Sequence, residues 1–444
     1  MTLVPHVWPE TATVVDGRLW VGGCDVVALA DQFGTPLYLL DEVTLRGAMR
    51  AYRQAFAATY PGPFRVHYAG KALLNTALAQ IVAQEGLGLD VVSATELLVA
   101  RRAGMPMAHV HLHGNAKSDA ELERALTWQV GAIVVDNLDE LARLRAMSAR
   151  LAEPQGVLLR IAPAIEADTH SHIATGGEAA KFGLPLAALD EAVAQTLAAP
   201  GLRWLGLHAH IGSQLFALDQ VVATVEVLVS QAARLRERFG VTPVELSPGG
   251  GLGVPYTADQ PSTDRFRYAQ VVSEALQAAC ARYNLPLPRL TVEPGRSIVA
   301  RAGVALYRVV GRKGRRWLNV DGGMADNIRP ALYGARYSAV LANRAGEPAG
   351  EPVAVGGRYC ESGDVLLREI ALPPAQPGDL IAVATAGAYT LSMSSNYNLV
   401  PRPALVLVGN GRAHVIQRRE TEDDVLARDV VLGGADAGTT LRRD

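Results

Sequence analysis

The sequence predicts a (β/α)8 TIM-type barrel together with a second β domain, a sandwich or barrel, formed by both ends of the chain. Between residues 41 and 300, short β-rich runs alternate with longer helical ones. This alternation implies parallel strands joined by right-handed crossovers. Eight such strands in about 230 residues indicate a closed barrel, and an open doubly wound sheet is the alternative. After residue 300, strands separated by Gly, Pro and Asn turns predict the β domain.

The barrel segment opens with a helix over Asp41–Tyr60, whose apolar residues recur at helical spacing. Further helical patterns cover Ser118–Gln129, Leu138–Leu151, Leu218–Gly240 and Arg265–Tyr283. The eight predicted strands are Arg65–Gly70, Leu89–Ser93, His109–Gly114, Ala132–Asn137, Gly156–Pro163, Leu202–Ser213, Pro243–Gly251 and Arg289–Ser297.

The β domain is predicted to be antiparallel and to combine residues 1–40 with residues 301–444, so that the barrel of residues 41–300 is inserted between its two parts. The first 40 residues contain two strand-like runs, TATVVDGRLWVGG and TPLYLL, which could pair with the later strands. Those later strands are Val304–Val310, Trp317–Asp321, Val353–Val355, Leu380–Thr385, Ala404–Val408 and His414–Gln417.

Charge and composition restrict the class of protein. The 42 basic and 44 acidic residues give a net charge of −2, so nothing electrostatic favours a nucleic acid or an anionic membrane as partner. The three cysteines are too few and too scattered for a disulfide scaffold or a structural zinc site, and they favour a reducing compartment. The start of the chain does not resemble a signal peptide, because prolines and a glutamate replace its basic patch and apolar run. We therefore expect a cytoplasmic protein.

One uncharged stretch, Leu380–Pro401, is about as long as a membrane-spanning helix. Its apolar residues come in short runs, and it contains several Ser and Asn residues. This composition favours a strand followed by a polar loop, and no membrane partner is expected.

Residues of distinctive chemistry follow four of the predicted strands. Active sites of such barrels lie at the carboxyl ends of the strands. These ends carry Lys71 directly after the first strand, His210 at the end of the sixth, three consecutive glycines at the end of the seventh, and Glu293 with Arg296 at the end of the eighth. The sequence therefore predicts that these residues meet at one mouth of the barrel.

Each of these residues has a structural and a functional interpretation. The glycines of residues 249–251 could form a flexible turn, but a loop after the seventh strand is where barrels usually bind phosphate. Lys71 could be a solvated rim lysine, or the attachment point of an aldehyde cofactor. Glu293 could be a structural carboxylate paired with Arg296, or the partner of a cofactor ring nitrogen. His210 could be a hydrogen-bonded rim histidine, or it could stack on that ring.

Seven motifs, in order, resemble the diaminopimelate decarboxylase family: YAGK, HAHIGSQ, GGGLG, EPGRS, DGGMADNIRPALY, CESGD and AGAY. The resemblance runs from about Thr35 to Pro403 and includes the loop THSHIATGGEAAKFG. It implies a pyridoxal 5′-phosphate enzyme of the alanine-racemase-like fold, a barrel plus a β domain from both chain ends. The implied reaction is decarboxylation of meso-2,6-diaminopimelate to L-lysine and CO2, the last step of lysine biosynthesis.

The resemblance also implies roles for individual residues. Lys71 holds the aldehyde, His210 stacks on the ring, Glu293 binds the ring nitrogen, and Cys360 donates a proton to Cα. The phosphate and the rest of the cofactor are expected to contact Ser213, Gly250, Gly251, Pro294, Gly295, Arg296 and Tyr389. The substrate is expected to contact Arg296, Arg329, Tyr333, Glu361 and Tyr389. No metal is expected, and the Cys-Glu segment implies a homodimer because it serves the active site of the other subunit.

Two departures from the family pattern stand next to these motifs. Ser247-Pro248 precedes the glycines where the family commonly has an acidic or amide residue and then an apolar one. Lys71 is followed by Ala72-Leu73, where Ala-Asn is frequent. Both departures bear on the subfamily more than on activity.

The sequence also allows three alternative functions. A metal-dependent hydrolase is suggested by the alternating histidines His109, His111 and His113, but such enzymes place a His-x-His pair on the first strand and an Asp on the eighth. A non-catalytic pyridoxal-phosphate-binding relative would need no proton donor such as Cys360. The third alternative is a decarboxylase of ornithine, arginine or a carboxylated polyamine precursor. These substrates lack the distal carboxylate that Arg329 is expected to bind.

Overall fold

The computed structural model describes residues 3–163 and 181–432. The chain begins with three short strands that form a small antiparallel sheet: β1 (Thr13–Val15), β2 (Arg18–Val21) and β3 (Cys24–Asp25). Helix α1 (Val26–Phe33) follows, and its first turn is capped by the side chain of Asp25, which accepts a hydrogen bond from the N–H of Val27. Strand β4 (Leu37–Asp41) is buried along its whole length.

Eight parallel strands close into a barrel. They are β5 (Phe64–Ala69), β6 (Gly88–Val91), β7 (Val110–Leu112), β8 (Ala132–Val135), β9 (Gln155–Ala162), β11 (Leu202–His208), β12 (Glu245–Gly249) and β13 (Arg289–Val292), with the two-residue β10 (Leu184–Pro185) beside β9. Pairing of β13 with β5 and of β8 with β9 completes the ring. The predicted barrel is confirmed, and the open sheet is excluded. All eight strands end before the predicted carboxyl terminus, six of them by two residues or more, because the chain turns into the loops of the mouth.

Helices surround the barrel: α2 (Glu42–Thr59), α3 (Thr76–Gln84), α4 (Ala94–Arg102), α5 (Asp119–Thr127), α6 (Leu138–Ser148), α7 (Leu189–Leu197), α8 (Asp219–Phe239), α9 (Arg265–Arg282) and the short α10 (Arg296–Val299). In α2, Asp41 caps the first turn by accepting from the N–H of Thr44. The face that carries Leu45, Met49, Tyr52 and Phe56 is fully buried, as its spacing predicts.

The second large sheet contains residues from both parts of the chain. Its later strands are β14 (Gly303–Lys313), β15 (Trp317–Val320), β16 (Ala339–Leu341), β17 (Pro352–Gly356), β18 (Val365–Ala371), β19 (Leu380–Val383), β20 (Ala404–Gly409) and β21 (Arg412–Gln417). Strand β4 lies between β14 and β20. Two short helices, α11 (Arg329–Tyr333) and α12 (Glu422–Leu426), accompany the sheet, and 3-10 turns at Leu391–Met393 and Tyr397–Leu399 follow β19.

The prediction of an antiparallel β domain was wrong in one respect, because the sheet is mixed. Strand β4 is antiparallel to β14 but parallel to β20, and β15 is parallel to β17. The parallel pairs are not joined by tight hairpins, so their direction depends on long connections that the strand pattern does not specify. The strand-plus-loop interpretation of Leu380–Pro401 is confirmed by β19 and the two 3-10 turns. Over residues 3–163 and 181–432, we find no helix long and apolar enough to cross a membrane.

The barrel interior is unusually polar for this architecture. Such barrels are usually filled by layers of branched apolar residues. Here Ala132, Val134, Leu158 and Leu205 form a separate small apolar cluster. Buried polar side chains, in contrast, occur on β5, β6, β7, β9, β11, β12 and β13: His67, Asp90, His111, Arg160, His208, Glu245, Ser247 and Thr291. The main apolar core lies between the strands and the surrounding helices.

Candidate active site

A cavity of about 820 Å3 opens among the residues that follow the barrel strands. Of the residues singled out from the sequence, the barrel supplies Lys71, His210, Ser213, Glu293 and Arg296 to its lining, and the later part of the chain supplies Arg329, Tyr333 and Tyr389. The predicted convergence of the strand ends on one mouth is therefore observed. Eight predicted site residues share one cavity.

Two lysines line this cavity, but only one projects into it without strong protein contacts of its own. Lys71 lies in the 3-10 turn Gly70–Ala72 directly after β5 and is exposed. Lys117 is buried, and its Nζ donates to Gly114 O at 2.6 Å, Val134 O at 2.6 Å and Glu140 Oε1 at 2.8 Å. Those three bonds use all the donors of an ammonium group. Lys71 is therefore the lysine that is available to a ligand.

The glycine segment packs backbone against backbone. A Cβ on Gly250 would lie 2.2 Å from Glu293 O, and one on Gly249 would lie 2.6 Å from Nδ1 of His210. Gly249 and Gly251 also have φ values of 77° and 116°, which disfavour residues with a side chain. The N–H of Gly250 donates to Nδ1 of His210 at 3.4 Å. The segment therefore brings main-chain atoms close to His210, as a cradle for an anionic group requires.

Glu293 is a buried carboxylate at the end of β13. Its Oε1 accepts from Ser247 Oγ at 2.7 Å, and its Oε2 lies 3.0 Å from His208 Nε2. Burial is the main cause that raises the pKa of Glu293, and the Asp90 carboxylate raises it further. The site thus holds a carboxylate whose pKa is raised, and perturbed groups of this kind are common in functional pockets.

Two arginines flank one tyrosine on another side of the cavity. Arg296 Nη1 donates to Tyr256 Oη at 2.7 Å, and its Nε donates to Ser213 Oγ at 3.2 Å. The guanidinium of Arg329 lies over the Tyr256 ring, 4.5 Å from its centre, and donates to Tyr337 Oη at 2.6 Å. Burial acts to raise the pKa of Tyr256, but the two guanidiniums outweigh it and lower that pKa. Two cations therefore lie close together in a single pocket.

Tyr389 joins the later part of the chain to the Lys71 turn. Its N–H donates to Ala72 O at 2.8 Å, and the Arg296 guanidinium lies 4.7 Å from the centre of its ring. Its φ of 57° lies in the left-handed region, which is uncommon for a residue with a side chain. Such backbone strain is often concentrated at functional sites.

Cys360 and Glu361 lie on an exposed turn. Asn398 Oδ1 accepts from the N–H of Cys360 at 3.0 Å, and Asp364 accepts from the N–H groups of Met324 and Tyr359. Within the described part of the chain, neither Cys360 nor Glu361 is among the residues that line the cavity. One chain therefore does not bring this predicted pair to its own Lys71.

Four other predicted residues, Gly250, Gly251, Pro294 and Gly295, are absent from the cavity lining as judged over residues 3–163 and 181–432. They lie just behind it. Pro294 O accepts from the N–H of Ala69 at 3.2 Å, and a Cβ on Gly295 would lie 3.1 Å from Ala69 and Ala72. Pro294 and Gly295 therefore pack the end of β13 against the turn that carries Lys71.

The structure also adds cavity residues that were not among the residues expected to bind cofactor or substrate: Asp90, His113, Lys117, Arg160, His208 and Tyr256. A signal existed for some of them, because side chains two residues apart on a strand point to the same side. His208 precedes His210 by two, and Asp90 lies on a predicted strand. Tyr256 comes from the loop after the glycines, where no periodicity applies.

The donors of this cavity fit pyridoxal phosphate. The group needs an amine for its aldehyde, a carboxylate for its ring nitrogen and a backbone-lined niche for its phosphate. Lys71 and Glu293 line the cavity, and the glycine segment contacts His210, which is part of the same lining.

Comparison with known proteins agrees with this chemistry. The pyridoxal-binding domain of the pyridoxal-dependent decarboxylases matches residues 43–300. A diaminopimelate decarboxylase of Synechocystis is 45% identical over 437 residues, covering 96% of this chain and 93% of the relative. One from Bacillus subtilis is 42% identical and covers 93% of this chain and 95% of the relative.

The chain belongs to the diaminopimelate decarboxylase family. Its fold agrees with this family, since a crystal structure of diaminopimelate decarboxylase from M. jannaschii in complex with L-lysine superimposes with a TM-score of 0.87. That structure is 32% identical and covers 95% of this chain and 98% of its own. The protein is accordingly a carboxy-lyase with pyridoxal 5′-phosphate as its cofactor. Most of the family-like loop of residues 169–183 lies outside the described residues.

Proposed function

We propose that this diaminopimelate decarboxylase family member converts meso-2,6-diaminopimelate into L-lysine and CO2, the last step of lysine biosynthesis. The observation that carries the proposal is the pair of guanidiniums, Arg296 and Arg329, in the same cavity as Lys71 and Glu293. Diaminopimelate has two carboxylates, of which one leaves and one remains. A buried guanidinium, which pairs bidentately with a carboxylate, suits a substrate that keeps a carboxylate at its far end.

The cofactor-binding assignments follow from the same cavity. Nζ of Lys71 attaches the aldehyde carbon, the Glu293 carboxylate binds the ring nitrogen, and His210 lies against the ring. Ser213 and the backbone of residues 250–251 and 294–296 bind the phosphate, and Tyr389 contacts both cofactor and substrate. When bound, pyridoxal phosphate supplies an electron sink for the pair of electrons left at Cα.

The reaction breaks the Cα–carboxylate bond, forms a Cα–H bond and consumes one proton. We assign that proton to the Cys360 thiol, which must come from the partner subunit in a homodimer. The exposure of the Cys360 turn and its position outside the cavity of its own chain support this assignment. Glu361 of the same turn would bind the distal ammonium, opposite Arg329 and Tyr333, which would bind the distal carboxylate.

The substrate assignment is tested by measuring CO2 release from equal concentrations of meso-diaminopimelate, L-lysine, L-ornithine and L-arginine. We expect meso-diaminopimelate to give CO2 and lysine in equal amounts. The rates from L-lysine, L-ornithine and L-arginine should be at least about 100-fold lower, because these amino acids have no second carboxylate for Arg329 to bind. Faster release from ornithine or arginine would contradict the proposal. That alternative has a structural relative in a lysine/ornithine decarboxylase from Vibrio vulnificus, which is 25% identical with a TM-score of 0.72.

Arg329 offers a variant that tests the distal contact. Arg329→Gln should lower kcat/KM for meso-diaminopimelate by about 10–100-fold, the loss expected for a charged hydrogen bond. Arg282→Gln is the matched control, because Arg282 forms a mostly exposed ion pair with Glu226 away from the cavity. Equal kinetics of the two variants would remove Arg329 from the substrate site.

We further propose that residues 41–300 form the cofactor-binding domain and that residues 1–40 and 301–444 form the β domain that carries the Cys360 turn. The position of β4 between β14 and β20 supports the contribution of the amino-terminal part to the second sheet. We also propose a cytoplasmic location. It is supported by the three cysteines, all of which lie in the described ranges as free thiols.

A further inference from the structure

Three polar side chains from adjacent barrel strands meet at the cavity. His208 of β11 and Glu293, which follows β13, line it, and Ser247 of β12 contacts Glu293. The strand register places His208 opposite Ser247 on one side and opposite Arg160 on the other. All three side chains are at least nine-tenths buried. His208 and Glu293, together with His113, bring one nitrogen or oxygen atom each to within 4.8 Å of the others.

Ser247 has a determined hydrogen-bond direction. Its Oγ accepts from the N–H of Gly249 at 3.1 Å and lies 2.7 Å from Glu293 Oε1. Since the main-chain N–H is only a donor, the hydroxyl proton is left for Glu293. Ser247 is therefore a donor to the carboxylate.

His208 is also a donor. Its Nε2 lies 3.0 Å from Glu293 Oε2, whereas its Nδ1 is buried and has no hydrogen-bond partner among the described residues. A buried N–H without a partner is rarer than a buried acceptor without one, so the proton belongs on Nε2. Burial is the main reason that the pKa of His208 is lowered to about 3, and this keeps the ring neutral with one proton.

We propose that His208 and Ser247 are positioning residues that hold Glu293 as an ionised carboxylate, oriented to accept from the cofactor ring nitrogen. The inference rests on the role proposed above for Glu293. Two donors directed at the two oxygens leave only acceptor positions toward the cavity. A carboxylic acid in this place would instead donate its proton to an unprotonated ring nitrogen, and it would not favour the protonated ring.

The surroundings of Glu293 explain why such donors are needed. Burial and the nearby Asp90 carboxylate both favour the protonated form of Glu293. His113, with Nε2 3.9 Å from Oε1, His67 and Arg160 are the other titratable or charged groups whose fields act on it. Burial lowers the pKa of His113, and the field of this histidine in turn lowers the pKa of Glu293. The direct hydrogen bonds from Ser247 and His208 stabilise the ionised carboxylate in the same direction. Ser247, which departs from the family pattern, is therefore proposed to orient Glu293 through its hydroxyl group.

The test uses the full-length protein freed of cofactor and titrated with two probes, pyridoxal phosphate and its 1-deaza analogue, in which C–H replaces the ring nitrogen. The ratio of the two dissociation constants measures the contact between Glu293 and the ring nitrogen without requiring turnover. We expect the native protein to prefer pyridoxal phosphate. Ser247→Ala and His208→Leu should each reduce this preference about ten-fold, as loss of a hydrogen bond to a charged group implies.

Two further variants separate positioning from general structure. His208→Gln keeps an N–H donor near the place of Nε2 and should restore most of the preference. Ser273→Ala is the matched control, since Ser273 is fully buried and hydrogen-bonded to Thr59 on the outer helices, and its preference should equal that of the native protein. A purely structural role would weaken both probes equally and leave the ratio unchanged.

Glu293→Gln distinguishes failure of this inference from failure of the proposed function. If Glu293→Gln keeps the native ratio, Glu293 does not meet the ring nitrogen, and both ideas are wrong. If it loses the preference while Ser247→Ala and His208→Leu keep it, only the positioning role is rejected. Thermal unfolding of each variant shows whether it is folded. If His208→Leu does not fold, the ratio of dissociation constants for Ser247→Ala decides whether the positioning role is correct.

Discussion

Lys71 is one of only four lysines in the chain, so covalent labelling can be assigned without ambiguity. We expect the purified protein to be yellow and borohydride to fix the cofactor on Lys71. Peptide mapping provides the measurement. Lys117 is the internal control, because it lines the same cavity but its ammonium is held by three short hydrogen bonds. A label on Lys117 would refute the assignment of Lys71.

Glu293 should matter for turnover more than for cofactor retention. Glu293→Gln keeps the shape of the side chain but removes the charge that holds the ring-nitrogen proton, so we expect bound cofactor and a turnover about 10²–10⁴-fold lower. The rate of CO2 release and the cofactor content are measured together. Glu245→Gln is the control, since Glu245 is a buried barrel carboxylate bonded to Thr291 and Arg289. Equal turnover of the two variants would show that burial alone, and not the ring contact, explains the effect.

At the level of residues, the sequence allows the reactive side chains of the cavity to be predicted, but not the side chains that hydrogen-bond to them. Lys71, His210 and Glu293 could be identified because each follows a predicted strand, and strand ends meet at the barrel mouth. The donors to Glu293 could not, because the contact of Ser247 and His208 with it depends on which strands are neighbours after the barrel closes. Ser247 was visible in the sequence only as a departure from the family pattern.

The turn that carries Cys360 depends on an adjacent element. Asn398 holds the N–H of Cys360, and Asn396, two residues earlier, donates to Glu420 Oε2 at 2.6 Å. Glu420 also accepts from the main-chain N–H and the guanidinium of Arg402. Residues 396–402 are therefore held to the segment after β21 by one carboxylate.

We expect Glu420→Gln to lower the free energy of unfolding by about 1 kcal/mol, since Arg402 is partly exposed and water weakens the pair. The Arg402 hydrogen bond is the main reason that the pKa of Glu420 is lowered to about 2 from an ordinary 4.5. A lowered pKa stabilises the folded state above 4.5, and this contribution is lost as the pH falls toward 2. The difference between native protein and variant in thermal unfolding should therefore be present at pH 7 and shrink on acidification. The exposed Glu351→Gln is the control, and a difference that does not depend on pH would contradict this account.

At the level of elements, the position of each strand could be predicted from its own stretch of sequence, but the strands that pair with it could not. Each of the eight barrel strands was expected from its own apolar run, and α2 from the spacing of its apolar face. The parallel pairing of β4 with β20 joins residues from opposite ends of the chain. No local pattern encodes that contact, which explains why the β domain was expected to be antiparallel.

At the level of the whole molecule, the position of the Cys360 turn bears on which subunit's cavity this residue serves. The Cys360 turn is exposed, and over the described ranges it takes no part in the lining of the cavity that contains Lys71. A two-fold dimer would bring the turn of each subunit to the cavity of the other. Two inactive variants, Lys71→Ala and Cys360→Ala, should then restore activity when mixed under conditions that exchange subunits.

The arithmetic of this complementation is specific to a shared site. In a mixed dimer, one cavity combines both lesions and the other combines neither, so random pairing of equal amounts restores about a quarter of the native sites. If Cys360 served its own chain, every cavity in the mixture would carry one lesion, and activity would stay at the level of the separate variants. The rate of CO2 release is measured for the mixture and for each variant alone, with subunit exchange verified independently by mass-labelled chains. A mixture that exchanges and remains inactive excludes the shared site.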